Sequence, residues 1–141
     1  MEKCKIIIDT NLWISFLIGK RLSVLKSLVS NTKLAIYVCD NLIDEIKRVS
    51  LKTKIQKYIL ENDNVLLLEM IDMYCTHVVL NKTAISNLRD INDIFLLSLA
   101  ETVNADFIIT GDKDLLELGV HNKTRIVSVT VFISEILPLK N

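Results

Sequence analysis

The chain has 141 residues, of which 50% are apolar and 24% charged. That length suits one domain over residues 1–141, and that composition can bury a full core, which excludes an intrinsically disordered chain. Lys and Arg total 17 against 17 Asp and Glu, so no overall basic field marks a nucleic-acid binder, although an acidic site with basic residues elsewhere fits the balance.

Lys3 to Ile8 is a short β-branched run ending at Asp9-Thr10-Asn11 and reads as a buried strand. Leu12 to Ile18 reads as a helix closed by Gly19, and Ser23 to Val29 as a second helical piece. Leu34 to Val38 is the second strand. Asp40 and Asn41 then stand as caps for a helix from Leu42 to about Val49. Leu42, Ile46 and Val49 line one face of that helix. Glu45 falls at the edge of the same face and Asp44 points away. Ser50 to Leu60 has the spacing of an amphipathic helix with Lys52, Lys54 and Lys57 outside, and Asn62 or Asp63 can cap a helix from Val65 to Tyr74.

Thr76 to Leu80 is the third strand, and Asn81 to Asn87 the most loop-like segment. The helix from about Asn92 to Val103 is apolar almost all round, as buried helices are. A strand from Ala105 to Thr110, an acidic turn (Gly111, Asp112, Lys113, Asp114) and another helix follow directly. A last strand, Arg125 to Val129, leads to a helix from Val131 to Leu137 that Pro138 should end. Strands alternating with helices imply an α/β fold with a mainly parallel sheet between helical layers. In such sheets the strands' C-terminal ends share one edge, where ligands bind.

Cys4, Cys39 and Cys75 are odd in number and show neither zinc nor thioredoxin spacing, so reduced cytosolic thiols are expected. The N-terminal apolar run is too short for a signal peptide, and no window approaches the roughly 18 apolar residues of a membrane span. A soluble cytoplasmic protein is the expectation.

The acids map to the sheet edge. Asp9 ends the first strand, Asp112 follows the fourth, Glu45 is early in the helix after the second, and Asp93 begins the helix before the fourth. Asp93 also shares a face with Leu96, Leu97 and Ala100, and an acid on an apolar face needs a partner. Carboxylates gathered there repel by roughly 3 kcal/mol per pair at about 5 Å and an effective dielectric near 20. Raised pKa values or bound cations must answer that repulsion. Oxygen ligands without His or Cys suit Mg²⁺ or Mn²⁺ rather than zinc. Asp40, Asp90 and Asp114, at helix starts, have capping or dipole pairing as their simple explanation.

Three stretches resemble the PIN-domain ribonucleases, above all the toxin components of toxin–antitoxin pairs: IIIDTNLWISFL, LIDEIKRV and RDINDIFLLSLAETVNADFIITGDKDLLEL. The resemblance implies a three-layer α/β/α fold and Mg²⁺- or Mn²⁺-dependent cleavage of RNA phosphodiesters by activated water. By motif position Asp9, Glu45, Asp93 and Asp112 match the family's metal-binding, catalytic acids, and Asp114 an acid that sometimes assists. Asn11 and Thr110 match supporting polar positions, and Asp90 is a further supporting candidate. Homodimers and an antitoxin partner are also implied. Ile91-Asn92 departs from the family's usual Pro-Asp, and Trp13 from its usual aliphatic residue, which suits either the core or a dimer surface.

Other features carry less. Lys47, Arg48, Lys52, Lys54 and Lys57 form either a solvated face or a steering surface for RNA. His77 and His121 lack ligand partners at close spacing, and the stretch from Val65 to Met73 exceeds the apolar content one helix face needs. An aspartate-nucleophile phosphatase needs an acid where Asn11 stands, and a phosphoacceptor receiver needs paired acids after the first strand. A catalytically silent RNA-binding or assembly module of the same fold is the main alternative, and it predicts a broken acid set.

Overall fold

The computed structural model describes residues 2–19, 22–57, 62–80 and 91–140, without the side chains of residues 22, 53, 91–93 and 140. The expected loop at Asn81 to Asn87, the Asp90 position and the end of the Ser50 to Leu60 segment lie outside the described residues.

The strands are β1 (Cys4–Ile8), β2 (Leu34–Val38), β3 (Thr76–His77), β4 (Phe107–Ile109), β5 (Val120–His121) and β6 (Thr124–Val127). They form one sheet in the order β3-β2-β1-β4-β6-β5. Every pairing is parallel except the β5–β6 hairpin. β1 pairs on both sides, with Ile6 opposite Ile36 and Phe107, and Ile8 opposite Ile109. A central strand covered on both faces can be apolar throughout, which is why Ile6, Ile7 and Ile8 are consecutive and all buried.

The helices are α1 (Thr10–Ile18), α2 (Leu22–Val29), α3 (Asp40–Ser50), α4 (Thr53–Gln56), α5 (Asp63–Tyr74), α6 (Ile91–Val103), α7 (Lys113–Leu118), α8 (Val129–Val131) and α9 (Leu137–Lys140). They flank the sheet in an α/β/α arrangement. α6 lies across β1, β2 and β4 and against α3, α2 packs on β2, and α7 on β6. Leu96, Leu97, Leu99 and Ala100 of α6 are all buried, as its nearly uniform apolarity requires. Trp13 is fully buried, which answers its two readings in favour of the core. The three cysteines are buried and form no disulfide, and burial pushes the Cys75 thiol up to about 12. Among the described residues no helix is long and apolar enough to cross a membrane.

Several boundaries differ from the sequence reading. α3 takes in Ser50, and the chain then breaks at Leu51-Lys52 before the single turn of α4, where the sequence suggests a second helix already under way from Ser50. Leu51 is 66% exposed, so it gives the helix no apolar anchor to the core at the break. The N-cap of α3 is Cys39, and Asp40 lies in the first turn, where it faces the helix dipole rather than capping. β3 keeps two residues of the expected five, although Val78 N–H still donates to Val38 O at 3.0 Å.

β5 has only a partial turn signal in the sequence: Asn122 takes the positive φ of 55° that a tight hairpin needs, but Lys123 rather than Gly follows it. Pro138 does not end the last helix. A π turn over Phe132–Ile136 precedes it, with Leu137 N–H bonded to Phe132 O. That wider turn shifts the hydrogen-bond register just where proline lacks an N–H, so the helix continues as α9.

Candidate functional site

The chain leaves β1 toward β2 and β3 on one side, while β4, β6 and β5 lie on the other. The C-terminal ends of β1 and β4 therefore sit side by side where the strand order reverses. Asp9 follows β1 and Thr110 follows β4. Asp9 N–H donates to Ile109 O at 3.0 Å, which carries the parallel pairing to the very edge.

Asp9 is held on all sides. Its carbonyl accepts from the N–H groups of Leu12 (3.0 Å) and Trp13 (3.2 Å) as α1 begins. The Trp13 indole Nε1–H donates to Ile8 O at 2.9 Å, so the one tryptophan locks the residue before Asp9. Asp9 as a whole is only 6% exposed. Thr110, fully buried, donates its hydroxyl to Asp9 Oδ2 at 2.7 Å and accepts from Asp112 N–H at 3.0 Å.

Burial pushes the Asp9 carboxyl above its ordinary value, and the negative charge of Asp112 pushes the same way. The Thr110 hydrogen bond and the N–H groups of Thr10 and Asn11 pull it down without cancelling the rise. The two carboxylates are thus close enough to repel, and a divalent cation between oxygen ligands would relieve that strain. Asp9 and Asp112 are the two carboxylates that the described residues bring together at this edge, and their oxygens are of the kind such an ion takes.

Asp112 has a second task. It is the N-cap of α7, and its Oδ1 accepts from Leu115 N–H at 3.1 Å. The capping assigned to Asp114 from sequence therefore belongs to Asp112. Asp114 is exposed in the first turn, where a carboxylate favours the helix dipole.

Glu45 sits where its helical phase puts it, half-buried beside the buried Leu42 and Ile46, while Asp44 is exposed. It lines a small cleft with Thr10, Asn41, Leu42 and Phe95. Thr10 follows Asp9, so the cleft opens beside the Asp9 edge. The Glu45 carboxylate is gripped by Arg48: Nη2 lies 2.6 Å from both Oε1 and Oε2, and Nε 3.2 Å from Oε2. The i,i+3 spacing of the two residues was the available signal, masked by the basic run around Arg48.

Asn11 is exposed in the first turn of α1. Asp93 belongs to the first turn of α6 by backbone, two residues before the cleft-lining Phe95, and its side chain lies outside the described residues, as does all of Asp90. The structure thus joins Asp9, Thr110 and Asp112 directly and sets Glu45 at the adjoining cleft. Among the described residues no three His, Cys, Asp or Glu side chains gather closely enough to hold a metal ion. His121 pairs with Glu101 at 2.9 Å, away from this edge.

Known proteins carry the same architecture. The chain is 35% identical over 128 residues to the uncharacterized protein MJ1680 of Methanocaldococcus jannaschii, covering 86% of this chain and 79% of that one. A chain of the VapBC2 complex of Rickettsia felis, solved bound to a DNA fragment from its promoter, superposes with a TM-score of 0.52 at 16% identity. That match covers 86% of this chain and 96% of the other, and it concerns the fold. The PIN-domain family model matches residues 5–114, from β1 to the first turn of α7. That span takes in both strand ends that carry Asp9 and Thr110, and the α3 and α6 starts beside them; the chain belongs to the PIN-domain family, whose members are generally nucleases.

Proposed function

We propose that the protein is a divalent-metal-dependent endoribonuclease, the toxin of a toxin–antitoxin pair. The observation that carries this reading is the Thr110 hydroxyl tying Asp9 to the Asp112 backbone at the switch point of the sheet. A structural strand end needs no buried acid, and burying one beside a second carboxylate costs stability. A metal site would give the two carboxylates a shared role.

In this reading Asp9, Glu45, Asp93 and Asp112 hold Mg²⁺ or Mn²⁺ and serve as the catalytic acids. Asn11, Asp90, Thr110 and Asp114 support them. A bound divalent ion supplies Lewis acidity that activates water and offsets the charge building on the phosphodiester. The chain's own groups do the positioning. Thr110 fixes Oδ2 of Asp9, Trp13 fixes the strand end below it, and the α7 cap orients Asp112. Lys47, Lys52, Lys54 and Lys57 are exposed or sit near the surface of α3 and the segment after it, where they can meet an RNA backbone.

An antitoxin partner is supported by the fold shared with a chain of the VapBC2 complex. A homodimer is supported by the apolar side chains α5 exposes, Val65, Leu66, Met73 and Tyr74, since grouped exposed apolar residues mark contact surfaces.

The second reading, a silent RNA-binding or assembly module, draws on the Arg48 grip on Glu45 and the capping role of Asp112, which give both acids structural work. Labelled RNA incubated with Mn²⁺ and either the wild type or Asp9→Asn separates the two. Cutting lost in Asp9→Asn supports the nuclease. Equal cutting by both removes the proposed mechanism, and RNA bound but left whole by the wild type favours the silent module.

A further inference from the structure

Glu45 does not wait for a metal with an open carboxylate. Both of its oxygens are engaged by one guanidinium, through Arg48 Nη2 at 2.6 Å to each and Nε at 3.2 Å to Oε2. The pair lies along α3, one turn apart, and Glu45 lines the cleft that it shares with Thr10. Glu45 is 17% exposed at its side chain and Arg48 59%, so the acid faces protein while the base reaches in from solvent.

We infer that Arg48 is a built-in competitor for the metal at Glu45, so that loading of the divalent ion requires the guanidinium to let go. The inference rests on the proposed role of Glu45 as a metal ligand. Stability is a poor explanation for the pair. An i,i+3 ion pair with one half-exposed partner contributes little to folding, because solvent screens it and ordering two long side chains costs entropy. Its chemical effect is larger: a carboxylate that donates to a metal must turn lone pairs toward it, and here the fork of one arginine occupies both oxygens. Because Arg48 stands in water, it can swing aside without opening the core. The result is a threshold: the site fills only when the ion displaces a tethered cation that is always present at the same carboxylate.

Lys47 supplies the control. It carries the same charge one residue earlier, but it lines a different cleft, with Ile43, Val65, Asp72 and His77. Mn²⁺ binding is read by the loss of the free-ion electron paramagnetic resonance signal at fixed ionic strength. Arg48→Gln should tighten Mn²⁺ about two- to fivefold, the range an exposed ion pair can supply. Lys47→Gln should leave affinity close to wild type, and the effect of Arg48→Gln should vanish in a Glu45→Gln background.

If Mn²⁺ binds the wild type and Glu45→Gln weakens it, but Arg48→Gln matches Lys47→Gln, the competitor role is wrong while the metal site stands. The competitor role fails in the same way if Arg48→Gln tightens binding equally with and without Glu45. If the wild type binds no Mn²⁺, or Glu45→Gln binds as the wild type does, the metal role of Glu45 falls and the inference falls with it.

Discussion

Thr110 Oγ1 lies 2.7 Å from Asp9 Oδ2, a buried hydrogen bond between residues 101 positions apart in the chain. The same hydroxyl oxygen accepts the Asp112 N–H, so one side chain joins the ends of β1 and β4 to the turn that opens α7. Replacing Thr110 by Val keeps the shape and deletes both bonds. The half-buried Asp112 N–H loses its acceptor and Asp9 loses the donor that lowers its pKa. Thr110→Val should cost about 1–3 kcal/mol in urea unfolding, with a further weakening of Mn²⁺ binding.

The Asp9 carboxyl should make the protein less stable as pH rises. Its pKa is raised in the folded state, first by burial and then by Asp112. Below the ordinary carboxylate range both folded and unfolded forms hold the proton, and Asp9 costs nothing. As pH climbs through that range the unfolded chain ionises first, and stability falls until the folded carboxyl also ionises. In metal-free buffer Asp9→Asn should therefore be more stable than wild type near neutral pH, with the gap closing on acidification. Unfolding curves across that range check it; a gap that widens in acid would contradict the raised pKa.

Asp112 combines two roles that substitution can separate. Asp112→Ala removes the α7 cap and should cost about 1 kcal/mol. Asp112→Ser restores a capping oxygen without a charge, so stability should return close to wild type while Mn²⁺ binding and RNA cleavage remain lost. Thermal melts run beside cleavage assays distinguish the two effects. Recovery of cleavage with Ser would show that the carboxylate is only a cap.

Trp13→Phe should destabilise by about 2–4 kcal/mol, since it strands the buried Ile8 carbonyl and leaves a void where the larger ring packed. Because that carbonyl precedes Asp9, Mn²⁺ affinity should fall even at temperatures where the variant is fully folded. Urea unfolding and the Mn²⁺ titration give the two numbers separately.

Much of this was legible in the amino-acid sequence. The β-branched runs of β1 and β2, the uniform apolarity of α6 and the alternation of strand with helix determined a parallel α/β sheet, because burial on both faces demands those patterns. The same alternation placed Asp9 and Asp112 at one edge, and the helical phase of Glu45 told that it faces protein while Asp44 does not. Less visible were the short elements: β5, α4 and the π turn before Pro138 hang on single φ values and on what a face finds to pack against.

What only the tertiary structure decided is who holds each acid. Sequence spacing places a carboxylate on a strand end or a helix face, because backbone geometry is local and periodic. It does not say whether that carboxylate meets a hydroxyl from a neighbouring strand, as Asp9 meets Thr110, caps a helix, as Asp112 does, or is held by an arginine one turn on, as Glu45 is by Arg48. The first depends on the packing of the sheet, which brings residues 101 positions apart together, and the other two on side-chain rotamers that local spacing permits but does not choose.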